Sequence, residues 1–286
     1  MMFNKAKHIR EKYIKEKMYP SIFCTGCGVG NVLNYALRAV DACSLDIDKV
    51  AFVSGIGCSS RLPGYIEADG LHTTHGRALA FATGIKTANP ELTVIVFTGD
   101  GDLAAIGGNH FIHAARRNVD MTVICVNNYN YGMTGGQGSP TTPLEKLTTT
   151  TPFGNVEDPF DLSRLAIGAG APYAARWCLG YPYETVTAVQ KGIQKKGFSF
   201  IELLVPCPTG YGKRNEMKEG REGWHWYKKN TILKSQYLAL SKKERENNRK
   251  IVIGELQNIQ KGEFTEKWSN LVARARRESG IKVKKN

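Results

Sequence analysis

Seven cysteines, at positions 24, 27, 43, 58, 125, 178 and 207, carry the most distinctive chemistry in this 286-residue sequence. Cys24-Thr25-Gly26-Cys27 is a CxxC, the spacing that lets two thiolates grip one metal centre. Cys58 and Cys207 stand in segments bounded by glycine or proline, Ser54-Gly55-Ile56-Gly57-Cys58 and Pro206-Cys207-Pro208. If those segments share a rim, four thiolates converge, and four convergent thiolates hold either structural zinc or an iron–sulfur cluster. The 30 residues between Cys27 and Cys58, and the 148 between Cys58 and Cys207, are unlike a compact zinc ribbon, whose ligand pairs are local. Cys43, Cys125 and Cys178 fall at a helix end, in a strand and at a strand end, where a buried inert thiol is the default.

Gly99-Asp100-Gly101 and Asn127-Asn128 form a second constellation. Glycines on both sides of Asp100 let a backbone approach a ligand, and a turn leading into a helix offers N–H groups to an anion. Asp100 can bind a hard cation, and Asn128, 28 positions later, adds a side-chain carbonyl. Magnesium favours oxygen ligands and shares them with substrate phosphates. Asp100, Asn128 and the backbone carbonyl of Asn130, closed by two phosphate oxygens and water, make an octahedral set. Alone, GDG is an ordinary tight turn. Neither Gly55-Ile56-Gly57 nor Gly99-Asp100-Gly101 completes the dinucleotide fingerprint G-x-G-x-x-G, and no Walker A sequence is present.

These residues need a scaffold that brings distant segments to one edge, and the intervening pattern describes it. Val50–Val53, Thr93–Phe97, Met121–Val126, Tyr173–Trp177 and Phe198–Val205 read as short strands, several apolar on both faces. Asn31–Asp41, Arg77–Thr87, Asn109–Arg117, Phe160–Ile167 and Glu184–Lys195 read as helices between them. The alternation implies an α/β fold, a parallel sheet with helices on both faces. Ligands of such sheets bind outside the carboxyl ends of the strands, where the glycine-rich, Asn-Asn and Pro-Cys-Pro segments fall. The stretch Tyr131–Thr151 is long, polar and without period, as functional loops are. After Gly212 the alternation fades; Trp224, Trp226 and Tyr227 suggest a packed segment and Lys250–Glu255 a short strand. The expected organisation is a basic extension over 1–20, a binding domain over 21–212 and a basic extension over 213–286 that packs on the body or on a partner.

With 42% hydrophobic residues at this length, the chain can bury a full core, which excludes a stapled mini-scaffold or a disordered chain. Lys and Arg number 39 against 26 Asp and Glu, a net charge of +13 that is unevenly placed. Residues 1–20 hold six basic and two acidic side chains and residues 210–286 hold 20 and nine, whereas the body between holds 13 and 15. Basic ends of this kind are solvated tails, or contacts for an acidic protein, a neighbouring subunit or nucleic acid. No apolar run approaches the roughly 18–20 residues of a membrane span. Met1–Pro20 has no apolar core of a secretory signal. A cytoplasmic protein free of membrane is expected, and disulfides are not.

Taken in order, strand, GDG, helix, strand and NN resemble the diphosphate-binding motif of thiamine diphosphate enzymes. Residues 21–212, about two thirds of the chain, closely resemble the thiamine-binding beta subunit of 2-oxoacid:ferredoxin oxidoreductases, nearest the 2-oxoglutarate branch. The resemblance rests on CTGCGVG at Cys24–Gly30, GIGCSSR at Gly55–Arg61, HTTHGRALAFATG at His72–Gly84, TGDGDLAAIGG at Thr98–Gly108, NNYNYGMTGGQGSPTT at Asn127–Thr142 and CPTGYG at Cys207–Gly212. Thr25 stands where the branch usually has proline.

That resemblance implies a thiamine diphosphate-binding (pyrophosphate-domain) fold. It assigns Cys24, Cys27, Cys58 and Cys207 to one 4Fe–4S cluster, and Asp100, Asn128 and Asn130 to magnesium. It places Ile56, Gly57, Cys58, Ser59, His75, Gly99, Gly101, Asp102, Gly132 and Met133 against thiamine diphosphate, with Met133 propping the cofactor and Thr134 a further diphosphate donor. Arg61 would pair with a substrate carboxylate, and His75 would polarise the substrate or position the cofactor. The implied activity is CoA-dependent oxidative decarboxylation of a 2-oxo acid, foremost 2-oxoglutarate to succinyl-CoA, with branched-chain 2-oxo acids and pyruvate as further substrates. Electrons would pass one at a time through the cluster to ferredoxin. The glutamate that activates thiamine comes from an alpha subunit in this family, and gamma and delta subunits complete the assembly. A redox-silent thiamine decarboxylase would need no cysteine set, and no RRM, KH, zinc-finger or helix-turn-helix signature supports a nucleic-acid partner.

Overall fold

Strands that are apolar on both sides must be covered on both sides, and this requirement sets the architecture. The computed structural model describes residues 8–279. Its strands are β1 (Val50–Ser54), β2 (Gly70–His72), β3 (Thr93–Gly99), β4 (Met121–Asn127), β5 (Asn130–Tyr131), β6 (Gln137–Gly138), β7 (Tyr173–Cys178), β8 (Phe198–Leu204), β9 (Thr231–Leu233) and β10 (Ile251–Asn258). Eight of them form one sheet in the order β2-β1-β3-β4-β8-β7-β10-β9, while β5 and β6 pair as a small hairpin. Every neighbouring pair in the large sheet is parallel except β7 with β10.

The helices are α1 (Ile9–Tyr13), α2 (Val29–Ala42), α3 (Ala78–Ala88), α4 (Gly108–Arg117), α5 (Leu162–Gly168), α6 (Pro182–Gln194), α7 (Gly220–Asn230), α8 (Lys234–Ala239), α9 (Lys242–Asn247) and α10 (Phe264–Ser279). Along the central strands, successive residues feed opposite cores. Phe52, Ile95, Phe97, Ile124 and Val126 pack with α2 and α6, whereas Val53, Val94, Val96, Val123 and Cys125 pack with α3, α4 and α5. The expected parallel sheet with helices on both faces is therefore what forms. Helix ends follow local chemistry: Asp161 accepts a hydrogen bond from the Arg164 amide at the start of α5, and Asn118 takes the left-handed conformation that closes α4.

The stretch after Gly212 supplies two strands to this sheet: β10 runs antiparallel to β7, and β9 lines its outer edge. Tyr227 on α7 is buried, and its hydroxyl donates to the Val205 carbonyl at 3.0 Å. Short β2, and the π-helical turn Asp102–Ile106 that follows the GDG segment, have no counterpart in the sequence pattern. The polar loop after Tyr131 has almost no regular structure. It is held instead by side chains, among them Thr142 Oγ1 donating to the Tyr129 carbonyl at 2.7 Å and Asn155 Nδ2 donating to the Thr142 carbonyl at 2.7 Å. No described helix is long and apolar enough to cross a membrane. Lys282, Lys284 and Lys285, the extreme of the basic C-terminal tail, lie outside the described residues.

Candidate cofactor site and thiolate cavity

Four strand ends meet at the carboxyl rim, and each delivers one of the segments singled out by residue type. The loop after β1 carries Ile56, Gly57, Cys58 and Ser59; the end of β3 carries Gly99 to Asp102; β4 runs into Asn128; and β8 runs into Cys207. The first three enclose a cavity of about 190 Å³ together with His75, Asn130, Tyr131, Gly132, Met133 and Thr134. Every residue assigned above to thiamine or magnesium borders this cavity.

Asp100 is almost fully buried (2% exposed). Its Oδ2 accepts hydrogen bonds from Ser139 Oγ and Thr141 Oγ1, each at 2.6 Å. Burial pushes its carboxyl pKa up to about 6 against the pull of those hydroxyls. Asn128 Oδ1, on the same cavity wall, is buried and has no hydrogen-bond partner, whereas Asn130 Oδ1 faces Gly210 and Cys207. An unpaired buried acceptor and a desolvated carboxylate on one cavity wall are costly on their own and are what a hard cation needs. The donor set thus fits magnesium with a diphosphate.

Gly101 is fixed by close approach. A Cβ there would fall 2.3 Å from the Tyr131 ring, which lies across the turn. Gly101→Ala should displace that ring, lowering stability by about 1–3 kcal/mol. It should weaken thiamine diphosphate binding at least about tenfold, read by quenching of tryptophan fluorescence during titration.

Asp102 borders the cavity, yet its carboxylate is spent on the protein. Oδ1 accepts from the Gly76 amide at 2.7 Å and the Ile56 amide at 3.2 Å, and pairs with His75 Nδ1 at 2.6 Å; Oδ2 accepts from Thr98 Oγ1 at 2.8 Å. It therefore ties two loops together and fixes the His75 ring, leaving the second ring nitrogen for the cavity. Thr134 Oγ1 is likewise engaged, donating to Gln137 Oε1 at 2.7 Å.

A second cavity, of about 240 Å³, is lined by Cys24, Cys27, Cys58 and Cys207. The CxxC turn closes through the Cys27 amide on the Cys24 carbonyl at 3.0 Å, with Gly26 at φ +77°, a conformation that favours glycine. The Gly28 amide on the Pro206 carbonyl at 3.4 Å ties that turn to the Cys207 strand end. Burial, with the other thiols close by, raises the Cys27 pKa to about 12 and the Cys58 pKa to about 11. Among the described residues no three His, Cys, Asp or Glu side chains gather at the spacing of a single bound ion. Cys125 and Cys178 are buried elsewhere, and Cys43 lies at the end of α2. Arg61 borders neither cavity; it faces a third, beyond the helical turn Ser59–Tyr65.

Sequence reasoning missed Tyr131, Ser139 and Thr141. The last joins the site to a buried polar chain: Thr141 Oγ1 also lies 2.9 Å from Asn127 Oδ1, and Asn127 Nδ2 donates to Glu202 Oε1 at 2.8 Å. Glu202 also accepts from Ser163 Oγ at 2.6 Å and Arg176 Nε at 2.8 Å, and Arg176 reaches Asp161 as well. Their signal in the sequence is the polar, aperiodic loop they share, within the motif Asn127–Thr142. Glu202→Ala would leave Arg176 short of a buried counter-charge, lowering stability by about 3–5 kcal/mol. At about 2–4 °C per kcal/mol this is a fall in melting temperature of roughly 10 °C, read by thermal denaturation.

Residues 55–203 match the family described as thiamine pyrophosphate enzyme, C-terminal TPP binding domain. The chain is 52% identical over 271 residues to the 2-oxoglutarate synthase subunit KorB of Methanocaldococcus jannaschii, covering 95% of this chain and 100% of that one. It is 51% identical over 261 residues to the subunit of the same name from Methanothermobacter marburgensis, covering 91% of each. Among solved structures, a chain of the 2-oxoglutarate:ferredoxin oxidoreductase from Magnetococcus marinus, with 2-oxoglutarate, coenzyme A and succinyl-CoA bound, superposes with a TM-score of 0.84 at 32% identity, covering 99% of this chain and 94% of that one. A binding-domain match over half the chain, full-length relatives above 50% identity and a shared fold agree with the rim's geometry: the chain belongs to the 2-oxoacid:ferredoxin oxidoreductases, as a thiamine-binding beta subunit of the 2-oxoglutarate synthase branch.

Proposed function

We propose that this chain holds thiamine diphosphate, magnesium and one 4Fe–4S cluster. Assembled with partner subunits, it would convert 2-oxoglutarate and CoA to succinyl-CoA, CO₂ and a proton, the two released electrons leaving through the cluster to ferredoxin. The observation that carries this reading is a shared wall: Cys58, Asn128, Gly132 and Met133 border both the cofactor cavity and the thiolate cavity. A Cβ on Gly132 would lie 3.3 Å from Cys207 Sγ and 3.8 Å from Cys58 Sγ, so the partition there is only backbone thick.

When bound, thiamine diphosphate supplies the nucleophilic carbon and electron sink that decarboxylation of a 2-oxo acid requires. Everything else falls to the chain. Asp100, Asn128 and the Asn130 carbonyl would hold magnesium, and Ser139 and Thr141 keep the Asp100 carboxylate in one orientation. Ile56, Gly57, Ser59 and Gly101 let backbone approach the cofactor, while Met133 offers an apolar surface beside it. His75, locked by Asp102, presents its free ring nitrogen where a substrate oxygen can exchange a proton. Burial and the neighbouring thiols hold Cys27 and Cys58 against ionisation, and cluster iron would supply the positive charge that thiolates need.

Among the described residues, the only carboxylates at the cofactor cavity are Asp100 and Asp102, both already engaged. A glutamate to activate thiamine would therefore come from an alpha subunit, with gamma and delta subunits completing the complex. Anaerobically purified complex should contain iron and acid-labile sulfide. It should reduce a viologen dye only when 2-oxoglutarate and CoA are both supplied. Silence with every 2-oxo acid in a panel, at full cofactor loading, would sink the proposal.

A further inference from the structure

Two of the three residues assigned to magnesium flank one strained position. Tyr129, between Asn128 and Asn130, has φ +64°, in the left-handed region that residues with a Cβ rarely adopt. Three contacts hold it there. Its amide donates to Asn127 Oδ1 at 3.2 Å, its carbonyl accepts from Thr142 Oγ1 at 2.7 Å, and its buried ring packs 5.5 Å from that of Tyr211. The reversal at Tyr129 turns this residue into the core and leaves Asn128 and Asn130 on the wall of the cofactor cavity.

The grip on Tyr129 depends on which way the Asn127 amide points. An asparagine side chain carries an acceptor and a donor of similar size and can present either. Here Glu202 decides, because a carboxylate can only accept: its Oε1 takes a hydrogen bond from Asn127 Nδ2 at 2.8 Å. Ser163 Oγ and Arg176 Nε occupy Oε2, which leaves Oε1 for the asparagine. Asn127 Oδ1 is thereby turned toward the Tyr129 amide, and it also lies 2.9 Å from Thr141 Oγ1, the hydroxyl that reaches Asp100. One oxygen atom thus adjoins both halves of the proposed ligand set. Asn127 and Glu202 are buried and neither borders the cavity, so anything they do for the cofactor they do through their neighbours.

We propose that Asn127, oriented by Glu202, is the positioning residue of the cation site, and that it sets the preference for magnesium over a larger cation. It fixes the turn at Tyr129, and with it the relation of Asn128 and Asn130 to Asp100. The inference rests on the cofactor reading above. Magnesium demands near-ideal octahedral geometry, whereas calcium accepts more oxygens at longer range in flexible arrangements. A ligand set that loses its frame therefore loses magnesium first.

The test titrates the assembled complex, freed of cofactor and metal, with thiamine diphosphate in magnesium and again in calcium, read by calorimetry. Glu202 is left in place, because its loss would strand Arg176. Asn127→Ala should weaken magnesium-supported binding about 10–100-fold and calcium-supported binding by less, so the preference for magnesium narrows. A variant that is merely less stable does not behave this way. A partly unfolded population lowers both apparent affinities by the same factor, which cancels in their ratio. Tyr173→Phe, which removes a buried hydrogen bond to the Ala188 carbonyl outside this chain of contacts, should melt lower and keep the parent ratio. Where Asn127→Ala does not assemble, Asn127→Ser, whose hydroxyl is too short to span both partners, is read in the same way. A parent-like ratio in the Asn127 variants overturns the inference even if both affinities fall. Loss of binding with both cations alike, or a narrowing shared by Tyr173→Phe, overturns it too. A parent complex that binds no thiamine diphosphate with either cation overturns the cofactor reading, and this inference with it.

Discussion

Cys58→Ser should leave the chain folded but strip the complex of its cluster and of its activity. Cys58 lies in the wall common to both cavities, so it is the thiol through which loss of the cluster would be felt nearest the cofactor. Serine keeps the volume, and burial that already disfavours a thiolate disfavours an alkoxide far more. Changes outside the first ligand shell of metal sites cost about 10–100-fold, and a direct ligand should cost at least the upper end of that range. Viologen reduction should therefore fall below about a hundredth of the parent, with iron and sulfide content and the broad visible absorbance lost together. Cys125→Ser, in the core between β4 and α4, should keep all three signals. A Cys58→Ser complex with full iron and undiminished turnover would remove the cluster from this cavity.

Asp100→Asn should separate binding from stability. Asparagine can still accept from Ser139 and Thr141, but the charge facing the cation is gone. Magnesium-dependent thiamine diphosphate binding should weaken on the order of 100-fold, about 2.7 kcal/mol, read by titration of the isolated chain. Metal-free stability should move the other way. Burial raises the Asp100 pKa from 3.8 to about 6, so the folded state holds this proton more tightly than the unfolded chain. Protonation then favours folding: the ionised carboxylate destabilises the parent fully above about pH 6, and this penalty fades as pH falls from 6 towards 3.8. With a chelator present at pH 7.5, Asp100→Asn should melt higher, by a margin on the order of 3 kcal/mol, and the gap should close by pH 4. A gap independent of pH would show that the carboxylate is not desolvated in the metal-free chain.

Much of this site is legible before any fold is drawn. β-branched runs that are apolar on both sides can only be buried parallel strands. Once Cys58, Asp100, Asn128 and Cys207 are each placed just past such a run, one rim is the only common address. What stays hidden is set by contact through space. Ser139 and Thr141 lie 39 and 41 residues after Asp100 in a loop without period, so no spacing rule connects them to it. Asp102 looks like a cofactor ligand because it abuts the GDG turn, whereas folding turns its carboxylate onto His75, Gly76, Ile56 and Thr98.

Strand β10 has a consequence for the smallest form in which this subunit can exist. The residues bearing the cofactor motifs end near Gly212, but β7 pairs on its outer side only with β10, from Gly254 opposite Arg176 to Asn258 opposite Tyr173. A chain cut at 212 would expose Tyr173–Cys178 as a bare edge, a row of unpaired N–H and C=O groups that templates self-association. It would also take from Arg176 its bond to the Val252 carbonyl. The unit that binds the cofactor is thus smaller than the unit that stays in solution, and a soluble fragment must run at least to Asn258.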